Sequence, residues 1–400
     1  MSRVKLLGVR IPHGYSPEAR VFASLLRHRP PGHEALVLHQ DWPGDRRNAG
    51  RFEAEARVRV ERLDAGWRPN PSGRRWRLAK AASLLRFLAT LPRMVRITRA
   101  YDPDIIYSSQ QRWDCLAATH IARKLGKPQI IHLHYTVGPW LHGHPLRRLL
   151  TCDHVVAVSD FIRGQAVHHG VPSERVTTVR NPVSPFPAPA AGTREAVRGE
   201  LGVPVDSQLI GIIARLDALK GQGDAIAAFA RIAAAHPASR LIIVGEGPAR
   251  QALRAQAADT DLRERVLFAG RRTDVARVLA ALDVFIHPSR YEPFGLAVAE
   301  ASASGLPVVA YAEGGISEIV VDGETGLLAP AGDTGALAAS LAALLSEPVT
   351  ARRMGAAGRA RIEANFRPQD AGLEFAAVLE SVLGQGVPVA DAVEEPIVAP

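Results

Sequence analysis

Cysteine is scarce in this chain. Cys115 and Cys152 are the only two in 400 residues, too few to staple a fold of this size, and neither lies in a C-x-x-C pattern. A reducing, cytoplasmic setting is therefore expected. No apolar run reaches the ~18 residues of a membrane helix. At the N-terminus only Val4 and Leu6 to Val9 precede Arg10, a run shorter than a secretory signal requires. There is no tandem repeat of fixed period. Acids are short in the first half: residues 1–180 hold 30 Lys+Arg against 14 Asp+Glu, whereas residues 181–400 hold 19 against 26. Twelve of the 14 histidines also precede residue 181. What remains is ordinary for a globular protein, with 47% hydrophobic and 22% charged residues. That excludes a disordered or collagen-like chain. The length predicts two domains, and the charge split predicts that they meet different partners.

Short β-branched runs alternate with Ala/Leu/Arg-rich segments of helical length. Strands are expected at Val4–Gly8, Ala35–Leu38, Ile105–Tyr107, Gln129–Leu133 and Val155–Val158. A second series is expected at Leu209–Ala214, Leu241–Val244, Val266–Phe268, Val284–His287 and Val308–Ala310. These runs are continuously apolar, as strands buried on both faces must be, and the intervening helices imply right-handed crossovers in parallel sheets. The fold class is thus α/β, with two doubly wound Rossmann-like domains. Residues 1–180 form the first and 206–366 the second. The Pro/Ala-rich stretch within 181–205 reads as a linker, and 387–400 as a loose tail.

Ligands of open parallel sheets bind where strands end and helices begin. The unusual residues fall at those points in the second domain. Arg215 and Lys220 follow one strand; a planar fork and a point charge can together neutralise a diphosphate, though a solvated loop pair would look the same. Gly245-Glu246-Gly247-Pro248 is a tight turn whose amides suit an anion, but it lacks the third glycine of a dinucleotide fingerprint. Further on, His287-Pro288-Ser289 leads to Glu292, and Glu300 lies eight positions later in the helix that Gly295 opens. A loop carboxylate and one two turns into a helix can face the same ligand, and the helix N-terminus favours phosphate.

In this order and spacing, Arg215-x4-Lys220-Gly221, Val244-Gly-Glu-Gly-Pro248, His287-Pro-Ser289 and Glu292-Pro-Phe-Gly-Leu-x3-Glu300 resemble the retaining GT-B glycosyltransferases of family 4. So do Gly305-Leu-Pro-Val-Val-Ala-x3-Gly314-Gly315 and Asp322-Gly-x-Thr-Gly326. The resemblance is specific over about residues 154–366 and topological before that. It implies two Rossmann-like domains facing an interdomain cleft, with a helix at about 367–384 crossing back to the first domain. It also implies transfer of a sugar from a nucleotide-diphosphate sugar to a hydroxyl acceptor, with retention and without a metal or other cofactor.

The same resemblance distributes roles. Glu300 holds the ribose hydroxyls, and Glu292 lies beside the donor sugar with the backbone of Phe294, Gly295 and Leu296. Arg215 and Lys220 stabilise the leaving diphosphate, which is electrostatic catalysis by fixed cations. Gly245, Gly247 and Ser289 line the donor, and the backbone near Arg271 meets the base. His134 matches a strand-end histidine beside the donor sugar, while His132 shares its strand face and stays an alternative. The first loop departs from the family's Gly-Gly pattern, having His13, Gly14 and Tyr15; these are assigned to the acceptor. Asp102-Pro-Asp104 has the spelling of a metal motif but reads as a turn before a strand.

Residues 51–100 contain 13 Arg+Lys and four acids. Trp76 to Arg99 reads as an amphipathic helix with Leu78, Leu85 and Leu88 on one side and Arg86, Arg93 and Arg96 on another. Such a helix suits anionic lipid, peripheral at the inner membrane face, or an acidic acceptor; a merely solvated face is the plainer account. No zinc pattern or aromatic-interleaved basic motif supports nucleic acid as a partner. Two other functions compete: a nucleotide-sugar epimerase on the same architecture, and a catalytically silent nucleotide-sugar-binding protein.

Overall fold

The structure, a computed structural model, describes residues 3–11, 16–40, 46–66, 76–109, 112–137, 144–259, 262 and 264–384. The acceptor candidates His13, Gly14 and Tyr15 and the expected tail at 387–400 lie outside the described residues. The chain divides into two compact units, Met1–Pro182 with Pro368–Pro400, and Val183–Arg367.

The first unit carries β1 (Lys5–Arg10), β2 (Glu34–Gln40), β3 (Arg59–Leu63), β4 (Ile105–Ser109), β5 (Gln129–Leu133), β6 (His154–Ala157) and β7 (Val176–Thr178). All pair in parallel, in the order β3-β2-β1-β4-β5-β6-β7. The second unit carries β8 (Gln208–Ile213), β9 (Ser239–Val244), β10 (Val266–Gly270), β11 (Val284–His287), β12 (Val308–Tyr311) and β13 (Gly326–Ala329). Its parallel order is β10-β9-β8-β11-β12-β13. The order reverses at β1/β4 in one sheet and at β8/β11 in the other. Each reversal opens a crevice at the carboxyl ends of the strands, which is where a doubly wound sheet binds its ligand.

The helix Pro368–Gly384 belongs to the first unit, although the second unit's chain precedes it. It buries Ala371, Phe375, Ala376 and Leu379. Phe375 sets its ring edge-on to Tyr107 at 5.7 Å. A Cβ on Gly372 would stand 2.6 Å from the His28 carbonyl oxygen, so only glycine lets the backbone approach this closely.

The expected linker at 181–205 is corrected. Thr193–Glu200 is a helix, and its Arg198 side chain is completely buried. Arg198 Nη1 donates to Val205 O at 2.6 Å and Ser207 O at 2.7 Å, Nε to Ala281 O at 3.0 Å, and Nη2 to Asp283 Oδ2 at 2.8 Å. Proline and alanine content suggested a spacer, but a guanidinium with its fork fully engaged anchors this segment to the second unit. Asp102-Pro-Asp104 is spent on structure, for Asp104 Oδ2 accepts the Lys5 N–H at 2.7 Å and orders the start of β1.

The helix Trp76–Tyr101 also differs from expectation. It runs through Pro92 and buries Phe87, Leu91 and Met94. Leu78 and Leu85 face outward at 73% and 67% exposure. The core-facing residues recur at helical spacing, and the leucine pair seven apart falls on the other side.

Replacing Arg198 by methionine keeps much of the volume but leaves the Val205, Ser207 and Ala281 carbonyls without this donor and Asp283 with Arg194 and the Leu209 N–H. A loss of about 2–4 kcal/mol is expected, read as a lower urea midpoint for the second unit. A loss below about 1 kcal/mol would show that the buried fork is not an anchor.

Candidate active site

The loops after β8 and β11, neighbours at the second unit's switch point, build the site. The first runs from Ala214 to Gly221, where the helix Gln222–Ile232 begins. The second runs from Pro288 to Gly295, where the helix Leu296–Ala303 begins. They are locked together by backbone. Ser289 Oγ lies 3.2 Å from both Leu219 O and Tyr291 O, and the Arg290 N–H donates to Leu219 O at 2.9 Å. Gly221 has φ 71°, and a Cβ there would fall 1.8 Å from the Pro288 carbonyl oxygen. Any side chain at 221 would drive the loops apart.

Across this seam Glu292 Oε2 accepts from Lys220 Nζ at 2.7 Å and from His287 Nε2 at 3.0 Å. Glu292 is 9% exposed and His287 2%. Burial alone would raise the carboxyl pKa, but hydrogen bonding from His287 and the charge of Lys220 outweigh it, holding Glu292 at about 2 against the usual 4.5. The main chain of Glu292 is placed too, because its carbonyl accepts the Gly315 N–H at 3.0 Å. Both side-chain donors meet one oxygen, and among the described residues Oε1 has no hydrogen-bond partner, which leaves it available to a ligand.

The other candidates separate. Arg215 is not drawn into this cluster: its side chain is 70% exposed, with the Asp217 carboxylate 3.6 Å away. Phe294 turns its ring into the core, 2% exposed and 5.8 Å from the Phe366 ring, so only its backbone faces outward chemistry. Gly295 caps the helix Leu296–Ala303 and has no side chain to bond the first turn's amides. Those amides and Leu296 therefore offer a ready anion site. Glu300 is half-buried on that helix. Gly245 and Gly247 owe their identity to packing, since a Cβ would fall 1.9 Å from Ala214 O and 2.2 Å from Leu216 O respectively. Arg271 lies exposed just beyond β10. His287 was legible only as part of a motif; its support of Glu292 needed the fold.

In the first unit the two histidines part company. His132 is fully buried and its Nδ1 lies 2.9 Å from the Tyr107 hydroxyl. His134, just past β5, packs on His132 with ring centroids 4.1 Å apart. Its Nε2 has no hydrogen-bond partner among the described residues. Burial pushes the His134 pKa down to about 4, against the attraction of Glu18. The imidazole is therefore neutral at neutral pH and able to donate to or accept from a hydroxyl. Asp114 sits at the same edge, accepting the Ile11 N–H and the Ser109 hydroxyl, each at 2.7 Å.

Comparison with known proteins now identifies the class. Residues 193–361 match the model of "Glycosyl transferases group 1", and residues 20–185 that of "Glycosyltransferase Family 4". The chain belongs to this family of glycosyltransferases and has its two-Rossmann-like-domain GT-B fold. It is 30% identical over 318 residues to the GDP-mannose-dependent alpha-mannosyltransferase of Mycobacterium tuberculosis, covering 76% of each chain. It is 29% identical over 310 residues to the glycogen synthase of that organism, covering 73% of this chain and 72% of the relative. Among solved structures, Anabaena HepE with UDP and glucose superimposes with a TM-score of 0.78 at 22% identity, over 94% of this chain and 100% of that one.

Glu292 also sets a pH dependence. Its folded pKa lies below 4.5, so its contribution is fully present above that value and is lost as pH falls toward about 2. At about 1.4 kcal/mol per unit this is on the order of 3 kcal/mol. The stability gap between the wild type and Glu292→Gln should narrow as urea unfolding is followed from neutral pH down to about pH 3. A gap that stays constant over that span would disprove the ionised pair.

Proposed function

We propose that the protein is a retaining, metal-independent glycosyltransferase that moves a sugar from a nucleotide-diphosphate sugar to a hydroxyl acceptor in the cytoplasm. The observation that carries the donor site is the Lys220–Glu292–His287 cluster at the β8/β11 switch point, beside the uncapped first turn of the helix Leu296–Ala303. Relatives that are named for GDP-mannose dependence, and a structural neighbour that holds UDP and glucose, support the donor class.

In this reading the diphosphate meets Lys220 and the helix amides, and Arg215 swings in from its exposed position. Departure of the nucleoside diphosphate develops negative charge that these groups stabilise without a Lewis acid. Glu292 presents Oε1 to sugar hydroxyls and Glu300 holds the ribose. His134 serves a hydroxyl in its neutral form. The leaving phosphate oxygen takes the acceptor proton, on the same face as the departing group, which keeps the anomeric configuration. An acidic acceptor, or one held at an anionic membrane face, suits the cationic first unit. The epimerase and silent-binder readings are set aside because no replacement acid/base set is seen among the described residues and Arg215, Lys220, Glu292 and Glu300 are all present.

A thermal-shift panel of nucleoside diphosphates tests the site and identifies the base, since specific binding raises the melting temperature by mass action. Lys220→Ala and Arg215→Ala should each lower turnover by ~10²-fold or more; undiminished turnover in both removes them from the mechanism. Glu300→Ala should weaken nucleotide affinity by about tenfold in calorimetry, roughly 1.4 kcal/mol. Turnover that collapses on chelation would overturn metal independence, and an inverted anomeric signal in the product would overturn retention.

A further inference from the structure

We propose that the outward stripe of the helix Trp76–Tyr101 is a docking surface for the anionic face of a lipid bilayer. This gives a place to the membrane contact in the reading above, but stands on observations separate from the donor site. The helix meets its own core through the buried Phe87, Leu91 and Met94, with Leu88, Val95, Ile97 and Tyr101 packed partly against it. On the opposite side its first turns show an apolar stripe, with Leu78 and Leu85 at 73% and 67% exposure. Alanines and Pro92 continue that stripe. Toward the C-terminal end Arg93, Arg96 and Arg99 take over the same side, all exposed.

The charge pattern decides the partner. The 26 residues of this helix include Lys80, Arg77 and four further arginines, and no Asp or Glu. A helix adapted to water alone interleaves acids at i,i+4 and keeps leucine off its outer face. Arg86 reaches Asp64 at 3.5 Å, but among the described residues no carboxylate pairs with Arg93, Arg96 or Arg99. A second copy of this chain is a poor occupant, because a two-fold contact would set this cationic stripe against itself. Nucleic acid would use the cations but leave the leucines without a role. An anionic bilayer uses both: headgroups take the arginines, worth about 1 kcal/mol each near such a surface, and the acyl boundary takes the leucines.

The test is co-sedimentation of the full chain with vesicles of equal parts phosphatidylglycerol and phosphatidylcholine, and with phosphatidylcholine alone. The wild type should partition at least about tenfold more strongly onto the anionic vesicles, and added salt should weaken this. Arg93→Glu with Arg96→Glu should cut anionic binding by about tenfold or more, and Leu78→Ser with Leu85→Ser should cut it several-fold. Circular-dichroism melting and the nucleoside-diphosphate thermal shift check that both variants are folded. Equal partition of wild type and folded variants would overturn the proposal. So would a leucine variant that changes the sedimentation velocity of the free protein and leaves vesicle binding intact, which would make the stripe a contact between copies. A wild type that binds anionic vesicles as expected but shows no thermal shift with any nucleoside diphosphate would count against the donor-site reading alone.

Discussion

One carboxylate oxygen organises the second unit's site. Glu292 Oε2 is shared by Lys220 at 2.7 Å and His287 at 3.0 Å, and these three side chains come from the end of β11 and the loops that follow β8 and β11. A buried carboxylate is costly unless it is paired and hydrogen-bonded. Here the pairing spans two loops, so the cost ties their positions to one another. Backbone closes the same seam, through Arg290 to Leu219 and Gly221 against Pro288. The cluster is therefore formed by the fold itself. Its groups are held in place before any ligand arrives, which is the condition under which electrostatic stabilisation is most effective.

How much of the fold was legible follows from where each strand lies. The interior strands β1, β2, β4, β5, β6, β8, β9, β11 and β12 are buried on both faces and show as continuous apolar runs. The three strands that were not expected, β3, β7 and β13, are all sheet edges, whereas the fourth edge, β10, keeps a Val-Leu-Phe run and was legible. β3 reads Arg-Val-Glu-Arg-Leu, charged where it meets solvent, and β13 opens on a glycine whose Cβ would fall 2.5 Å from Val308 O. An edge strand buries less and carries charge that discourages further pairing, so its sequence loses the signal by which interior strands are read. The helix Thr193–Glu200 was missed for a related reason: its anchor is one buried guanidinium, which composition reports only as charge.

The site was legible where a motif fixes main-chain geometry, and illegible where side chains choose among partners. Glu292, Lys220 and Gly295 could be placed from spacing because strand end, tight turn and helix start fix their backbone. Spacing said nothing of the partner of His287, whose ring meets Glu292 five residues further on. Nor did it show that Phe294 packs into the core, or that Arg215 stands apart from Lys220 despite sharing its loop. The His132/His134 alternative illustrates the limit. Alternation puts both on one face, yet the Tyr107 hydroxyl engages His132 and leaves the strand-end ring as the one beyond the sheet.

The charge asymmetry acquires meaning from the same comparison of partners. Arginine is abundant throughout the chain, and a solvated surface rich in arginine is the plain account of any one cationic face. In the second unit, however, several arginines are matched. Arg272 and Arg277 share Glu200 and Asp274, Arg290 grips Asp224, and Arg194 and Arg198 divide Asp283. Were the cations of the helix Trp76–Tyr101 simply a consequence of composition, acids would be expected beside them at similar frequency. That helix instead has none in 26 residues, and leucines occupy the outer face where acids would stand. Like charges clustered on one face repel, a cost that water and salt reduce but do not repay. Retaining them beside exposed leucine is consistent with a partner that is anionic and apolar at once, which singles out this helix from the chain's other arginine-rich surfaces.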